Sequence, residues 1–191
     1  MHRSITLRLP GWVTRHLAGR PERFATDEER VRLAIELARL NLQHGTGGPF
    51  GAALFDADGR LVSVGVNRVV SSACSFAHAE MLAIGTAHQR LGSYDLGGPN
   101  RPACELAASS EPCAMCLGAI AWSGVRRLVC GAREADAHEI GFDEGPKPDD
   151  WVRALETRGI AVRRDVCREE VRAVLRQYVQ GGGVIYNPQR P

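Results

Sequence analysis

The chain has 191 residues, 44% of them hydrophobic, and carries 24 Lys and Arg against 22 Asp and Glu, a formal net charge of +2. That length and apolar fraction suit a single domain over residues 1–191 with a full-sized core. The near balance of charge gives no argument for a nucleic-acid partner, no dense basic run appears, and no apolar stretch approaches the ~20 residues of a membrane helix.

Residues 1–25 are Arg-rich and contain no acid before Glu22. Pro10-Gly11 interrupts any amphipathic transit-type helix, and no continuous apolar run marks a secretory signal, so this segment is expected to be an N-terminal arm packed on a cytoplasmic domain. Thr26 followed by Glu29 predicts a capping box. Val31, Ala34, Ile35, Ala38 and Leu42 then keep one face of a helical period. Gly47-Gly48-Pro49 closes that region, and a hairpin is predicted from Phe50–Phe55, a turn at Asp56-Ala57-Asp58-Gly59, and Leu61–Val66. A helix follows from about Ala77 to Leu91, then a buried strand over Ala103–Ala108, a helix ending near Trp122-Ser123-Gly124, and a strand over Arg126–Gly131. The chain closes with a helix from about Asp149 to Gly159, a strand over Ile160–Val166 and a helix over Arg168–Val179. Roughly 28 residues including a helix separate the last two strands, too many for a hairpin, so those strands are predicted parallel with a right-handed crossover. The expected fold is a three-layer α/β/α domain around a five-stranded mixed sheet.

Two short motifs carry the chemistry: His78-Ala79-Glu80 and Pro112-Cys113-Ala114-Met115-Cys116. Cys113 and Cys116 sit three residues apart at the head of a helix, where their side chains share a face. Pro112 suits the first helical position, and the positive end of the helix favours thiolates. With His78 they make three Zn²⁺ ligands without a partnered fourth, which fits a catalytic zinc that keeps one position for water. Glu80 is not needed as a ligand, and a Glu two residues after the ligating His is the proton carrier of zinc-dependent base deaminases. A structural zinc knuckle, or for Glu80 a plain helix N-terminal charge, is the bland alternative. Cys74, Cys104, Cys130 and Cys167 have no framework spacing and read as small reduced thiols.

These motifs resemble the cytidine deaminase superfamily, and within it the zinc-dependent bacterial guanine deaminases. The resemblance runs from about Thr26 to the C-terminus. It rests on Gly47-Gly48-Pro49-Phe50-Gly51-Ala52, Asn67, the two zinc motifs with Glu111 before the second, Trp122-Ser123-Gly124, Ile140-Gly141-Phe142-Asp143-Glu144 and Gly183-Val184-Ile185-Tyr186-Asn187. The zinc motifs are shared with tRNA adenosine deaminases and cytosine deaminases, whereas the Gly-Phe-Asp-Glu stretch is similar to guanine deaminases, including members that accept the triazine ammeline.

The resemblance implies that water activated on zinc attacks C2 of guanine while Glu80 moves protons to ring N3 and the departing amine. It further implies Asn67 and backbone near Ala79 at the base, and a second carboxylate, Glu144 or next Asp143, beside the substrate. Phe50 and Trp122 are each read as either a stacking surface for the base or core packing. Asn67 has ordinary turn chemistry as its alternative, and the Asp143-Glu144 pair a solvated acidic turn. The resemblance also implies a homodimer in which the tail, residues 181–191, is exchanged so that Tyr186 approaches the partner's site. A tRNA adenosine deaminase, a cytosine or nucleoside deaminase, and a structural-zinc or nucleobase-binding module are the competing readings.

Overall fold

The computed structural model describes residues 4–98 and 102–187. Helix α1 (Gly11–Leu17) opens the chain with Pro10 at its N-cap. The expected break at Pro10-Gly11 is thus a helix start: a proline ahead of the first turn leaves no intrahelical bond unmade. Trp12 and Val13 of this helix are buried against the core. Helix α2 (Asp27–Gln43) carries the predicted capping box, with the Thr26 hydroxyl accepting from the Glu29 N–H at 3.2 Å and the Glu29 carboxylate accepting from the Thr26 N–H at 3.1 Å.

The hairpin follows as β1 (Gly51–Phe55) and β2 (Leu61–Val66). Then come the short α3 (Val69–Ser72), α4 (Ala79–Leu91), β3 (Glu105–Ser110), α5 (Ala114–Ser123), β4 (Arg127–Ala132), the short α6 (Glu134–Glu139), α7 (Trp151–Thr157), β5 (Ala161–Arg163) and α8 (Arg168–Gln180). The strands lie in the order β2-β1-β3-β4-β5; β1 is antiparallel to β2 and β3, and β3, β4 and β5 run parallel. The parallel pairing predicted for the last two strands is present.

Alternation along β1 sorts the core into two sides. Ala53 and Phe55 pack with α2 and α8 residues such as Leu33, Leu37, Val171 and Leu175. Ala52 and Leu54 pack with Ala83 and Ala87 of α4, Ile120 of α5, and Trp151 and Leu155 of α7. This is the three-layer α/β/α arrangement. Close contact of α4 with the sheet depends on Gly65, where an added Cβ would lie 1.9 Å from the Ala79 carbonyl oxygen. A side chain there would push off the helix that begins beside His78.

Several boundaries differ from expectation. β3 starts and ends two residues later than predicted because its partners, Phe55↔Glu105 on one side and Ser110↔Ala132 on the other, extend pairing into Ser109-Ser110. That dipeptide has turn-like chemistry in isolation. β5 is short: it pairs only with β4, through Ala161–Arg163, and the chain then turns at Asp165 with φ 63°. α5 begins at Ala114 with Cys113 as its N-cap, so Pro112 lies before the helix and not at its first position. The helices α3 and α6 have 4 and 6 residues, too short to leave a periodic signature.

Candidate active site

β3 ends at Ser110 and hands the chain directly to Glu111, Pro112 and α5, while α4 lies across β2 and β1. The starts of α4 and α5 therefore meet beyond the C-terminal end of the parallel strand β3, the usual location of sites in open α/β sheets. His78 is the N-cap of α4, in extended backbone, and Cys113 is the N-cap of α5. His78 Nδ1 lies 3.5 Å from Cys113 Sγ and 3.6 Å from Cys116 Sγ. Zinc with ~2.3 Å bonds to sulfur and ~2.05 Å bonds to nitrogen at the tetrahedral angle holds such atoms about 3.6 Å apart. The donor set therefore fits zinc in chemistry and in spacing. Among the described residues no further His, Cys, Asp or Glu joins this group, so one tetrahedral position is left for a non-protein ligand.

The two thiols divide a proton between them. The hydrogen bond from Cys116 pushes the Cys113 thiol down to about 4, and the same contact, with burial, pushes Cys116 up. Glu80, the second residue of α4, is 7% exposed, and its carboxyl is within hydrogen-bond reach of the Cys116 sulfur. Burial raises its pKa, followed by the charge of Cys113. Glu144 arrives from a loop after α6, where the Ala114 N–H donates to its carbonyl at 2.8 Å. The residue is 9% exposed, and burial, then the charges of Cys113 and Glu80, push its carboxyl up to about 8. Two carboxyl groups thus face the ligand set, each biased toward holding a proton.

Between them opens a cavity of about 390 Å³, bounded by His78, Glu80, Cys113, Asp143, Glu144 and Tyr186. Phe50 and Phe142 form an aromatic wall, edge to face at 5.2 Å, with the Tyr186 ring 4.9 Å from Phe142. Asn67 is 1% exposed at the end of β2 and donates through Nδ2 to the Tyr186 hydroxyl at 2.7 Å, so it supports the wall from behind.

This geometry corrects the reading of Trp122. Trp122 is 88% exposed and does not line the cavity. On α5 it shares a face with Met115 and Gly118, whereas Cys116, Ile120 and Ser123 form the buried face. Ala79 is fully buried, its carbonyl lies beside Gly65 of β2, and its neighbours His78 and Glu80 line the cavity. Within the one chain Tyr186 lines the cavity, held there by Asn67 and by Tyr178, whose hydroxyl donates to the Val184 carbonyl. Residues 188–191 of the tail lie outside the described residues.

Other members of the site carry no signal of their own in the sequence. Phe142 stands inside a motif without a role of its own there, yet it touches Phe50, Tyr178 and Tyr186. Asn187 clips the acidic loop, with Oδ1 accepting from the Asp143 N–H at 2.9 Å and Nδ2 donating to the Gly141 carbonyl at 2.8 Å. Both depend on residues distant in sequence, and nothing local announces them. Asn41, at 0% exposure, donates to the carbonyls of Gly48 and Asn67 at 2.9 and 2.8 Å and joins two loops beside the cavity.

The model of the cytidine and deoxycytidylate deaminase zinc-binding region matches residues 25–132. The chain is 41% identical over 117 residues to the guanine deaminase of Bacillus subtilis, covering 61% of this chain and 71% of the relative. It superposes on the solved structure of a guanine deaminase from Nitrosomonas europaea with a TM-score of 0.88 and 45% identity, over 93% of this chain and 97% of the other. A solved structure in complex with 2,6-diaminopurine matches with a TM-score of 0.91 and 46% identity over 98% of both chains. The matched segment holds all three candidate ligands and Glu80, and the chain belongs to the zinc-dependent cytidine and deoxycytidylate deaminase family.

Proposed function

We propose that this protein is a hydrolytic guanine deaminase, converting guanine and water to xanthine and ammonia, with ammeline as a second substrate to test. The observation that carries this reading is the convergence of Glu80 and Glu144 on one aromatic-walled cavity that is also lined by His78 and Cys113 of the donor set, with Cys116 buried beside them. His78, Cys113 and Cys116 would hold the zinc, which would supply an activated water by bringing its pKa toward ~7. In this reading Glu80 takes up the proton lost from the attacking water and returns it to the ring nitrogen next to the reacting carbon. Glu144, a carboxyl that holds its proton to about pH 8, is suited to donate to the amine as it leaves. Phe50, Phe142 and Tyr186 offer flat apolar surface to a planar base, and Asn67 acts through its hold on Tyr186. Asp143, which also lines the cavity, is the remaining carboxylate at hand.

The guanine deaminases among the relatives support this substrate over an adenosine in tRNA. So does Asp143 at the cavity, an acidic side chain that would repel a phosphate backbone. We take the partner to be a second copy of the chain, supported by the exposed apolar face of α5 that presents Met115 and Trp122. Among the described residues no helix is long and apolar enough to cross a membrane, and six free cysteines suit a reducing, cytoplasmic compartment.

Ammonia release from guanine, ammeline, adenine, cytosine, cytidine and tRNA tests the assignment. Release from guanine well above the others is expected. Release only from tRNA, or from none of the panel by a zinc-loaded protein, would overturn it.

A further inference from the structure

Behind the second zinc motif lies an ion cluster that the mechanism above does not use. The Lys147 side chain is 1% exposed, and its Nζ donates to Glu134 Oε2 at 2.9 Å and to the Pro112 carbonyl at 3.2 Å, with Glu111 Oε2 at 3.8 Å. The Glu111 side chain, 2% exposed, accepts from Arg164 Nε at 2.5 Å and from the Glu134 N–H at 3.0 Å. Trp151 lies between the two cations, its ring centre 5.0 Å from Lys147 Nζ and 5.4 Å from the Arg164 guanidinium carbon. Two acids and two bases from four chain segments therefore balance each other, Lys147 and Glu111 buried and Glu134 and Arg164 partly exposed, and such pairing is the condition for keeping a lysine in the interior.

The position of the cluster gives it a use. Lys147 follows Glu144 by three residues, and Pro112 precedes Cys113 by one. The bond from Lys147 to the Pro112 carbonyl and the bond from the Ala114 N–H to the Glu144 carbonyl, at 2.8 Å, are two rungs joining the acidic loop to the turn that carries the zinc ligands. We propose that Lys147 is a positioning residue: it clasps the loop bearing Glu144 to the Pro112–Cys116 turn, and Glu111 and Glu134 hold its ammonium in place. The proposal rests on the role of Glu144 given above. A surface turn would need no buried cation to register it against the neighbouring strand end, and a misplacement of about 1 Å in a catalytic group can cost on the order of 10²-fold in rate.

The test is Lys147→Met in the zinc-loaded enzyme, measured alone and combined with Glu144→Gln. Zinc content and KM for guanine should stay near wild type, because Lys147 touches neither ligand side chains nor cavity, while kcat falls by about tenfold or more. The double variant should be no slower than Glu144→Gln alone, since both changes act through one group. A folded, zinc-loaded Lys147→Met with kcat within about twofold of wild type, or losses that multiply in the double variant, would overturn the clasp. Zinc lost in proportion to activity would overturn it too. Normal turnover by Glu144→Gln would instead remove the reading on which the clasp rests. Removing a buried cation can unfold a domain, so Glu134→Gln serves as the milder variant. It loosens the ammonium from the 30% exposed side and should lower kcat several-fold at constant KM; an unchanged kcat there also overturns the proposal.

Discussion

Replacing Glu144 by Gln should make the metal-free protein more resistant to alkaline pH. The Glu144 carboxyl has a pKa of about 8 in the folded chain against an ordinary 4.5, with burial as the main cause. The folded state thus binds this proton more tightly than the unfolded state. The associated stability is complete below about pH 4.5 and is lost as the pH rises through about 8. Each pH unit inside that window is worth about 1.4 kcal/mol, so the full loss approaches 5 kcal/mol, and about 2–3 kcal/mol of it falls between pH 6 and pH 9. For a domain of this size that corresponds to roughly 5–10 °C in Tm. Gln cannot ionise and keeps the shape of the side chain, so the Tm advantage of Glu144→Gln over wild type should grow by that amount from pH 6 to pH 9. Bound zinc would favour the anion, so calorimetry is done on chelator-stripped samples of both proteins. A Tm difference independent of pH would refute the claim that Glu144 is held protonated in the pocket. In the zinc-loaded enzyme the same variant should lose guanine turnover by orders of magnitude, consistent with ~10²–10⁴-fold for a positioned proton carrier.

Glu80→Ala should retain one zinc per chain and its fold but lose at least ~10²-fold in turnover; metal analysis with steady-state kinetics checks this, and near-normal turnover would remove Glu80 from the mechanism. Chelation should abolish activity and lower Tm, because the folded arrangement of His78, Cys113 and Cys116 would bind the metal more tightly than the unfolded chain does; activity that survives complete zinc removal would contradict the assignment. Trp122→Asp places a charge on the exposed face of α5 and should convert a dimer to monomers by light scattering with little change in monomer fold. A wild-type chain that is already monomeric would refute the proposed self-association.

The ligand triad and Glu80 are legible in the amino-acid sequence because their chemistry is local. A Cys-x-x-Cys pair is brought onto one side of a helix start by its own spacing, and the His and Glu are two residues apart. The capping box at Thr26–Glu29 and the parallel pairing of the last two strands are readable for similar reasons, one from a four-residue pattern and the other from loop length. The orientation of Trp122 is not readable in this way, because its type says only that it is large and apolar. Whether α5 turns that side chain inward or outward depends on which face meets the sheet, and Cys116, Ile120 and Ser123 take the inner one.

Residue type and spacing are enough to define the chemistry available to this protein: which side chains can hold zinc, which can move a proton, and the alternation of strands and helices that carries them. Which distant groups share the cavity is a product of the folded packing. Phe142 against Phe50, Tyr186 on Asn67, Asn187 on the acidic loop and Lys147 under Pro112 span separations from 35 to 119 residues or depend on where the chain returns to the sheet. Contacts of that kind leave no periodic or local trace, because they are selected by the packing of whole elements and not by the preferences of neighbouring residues.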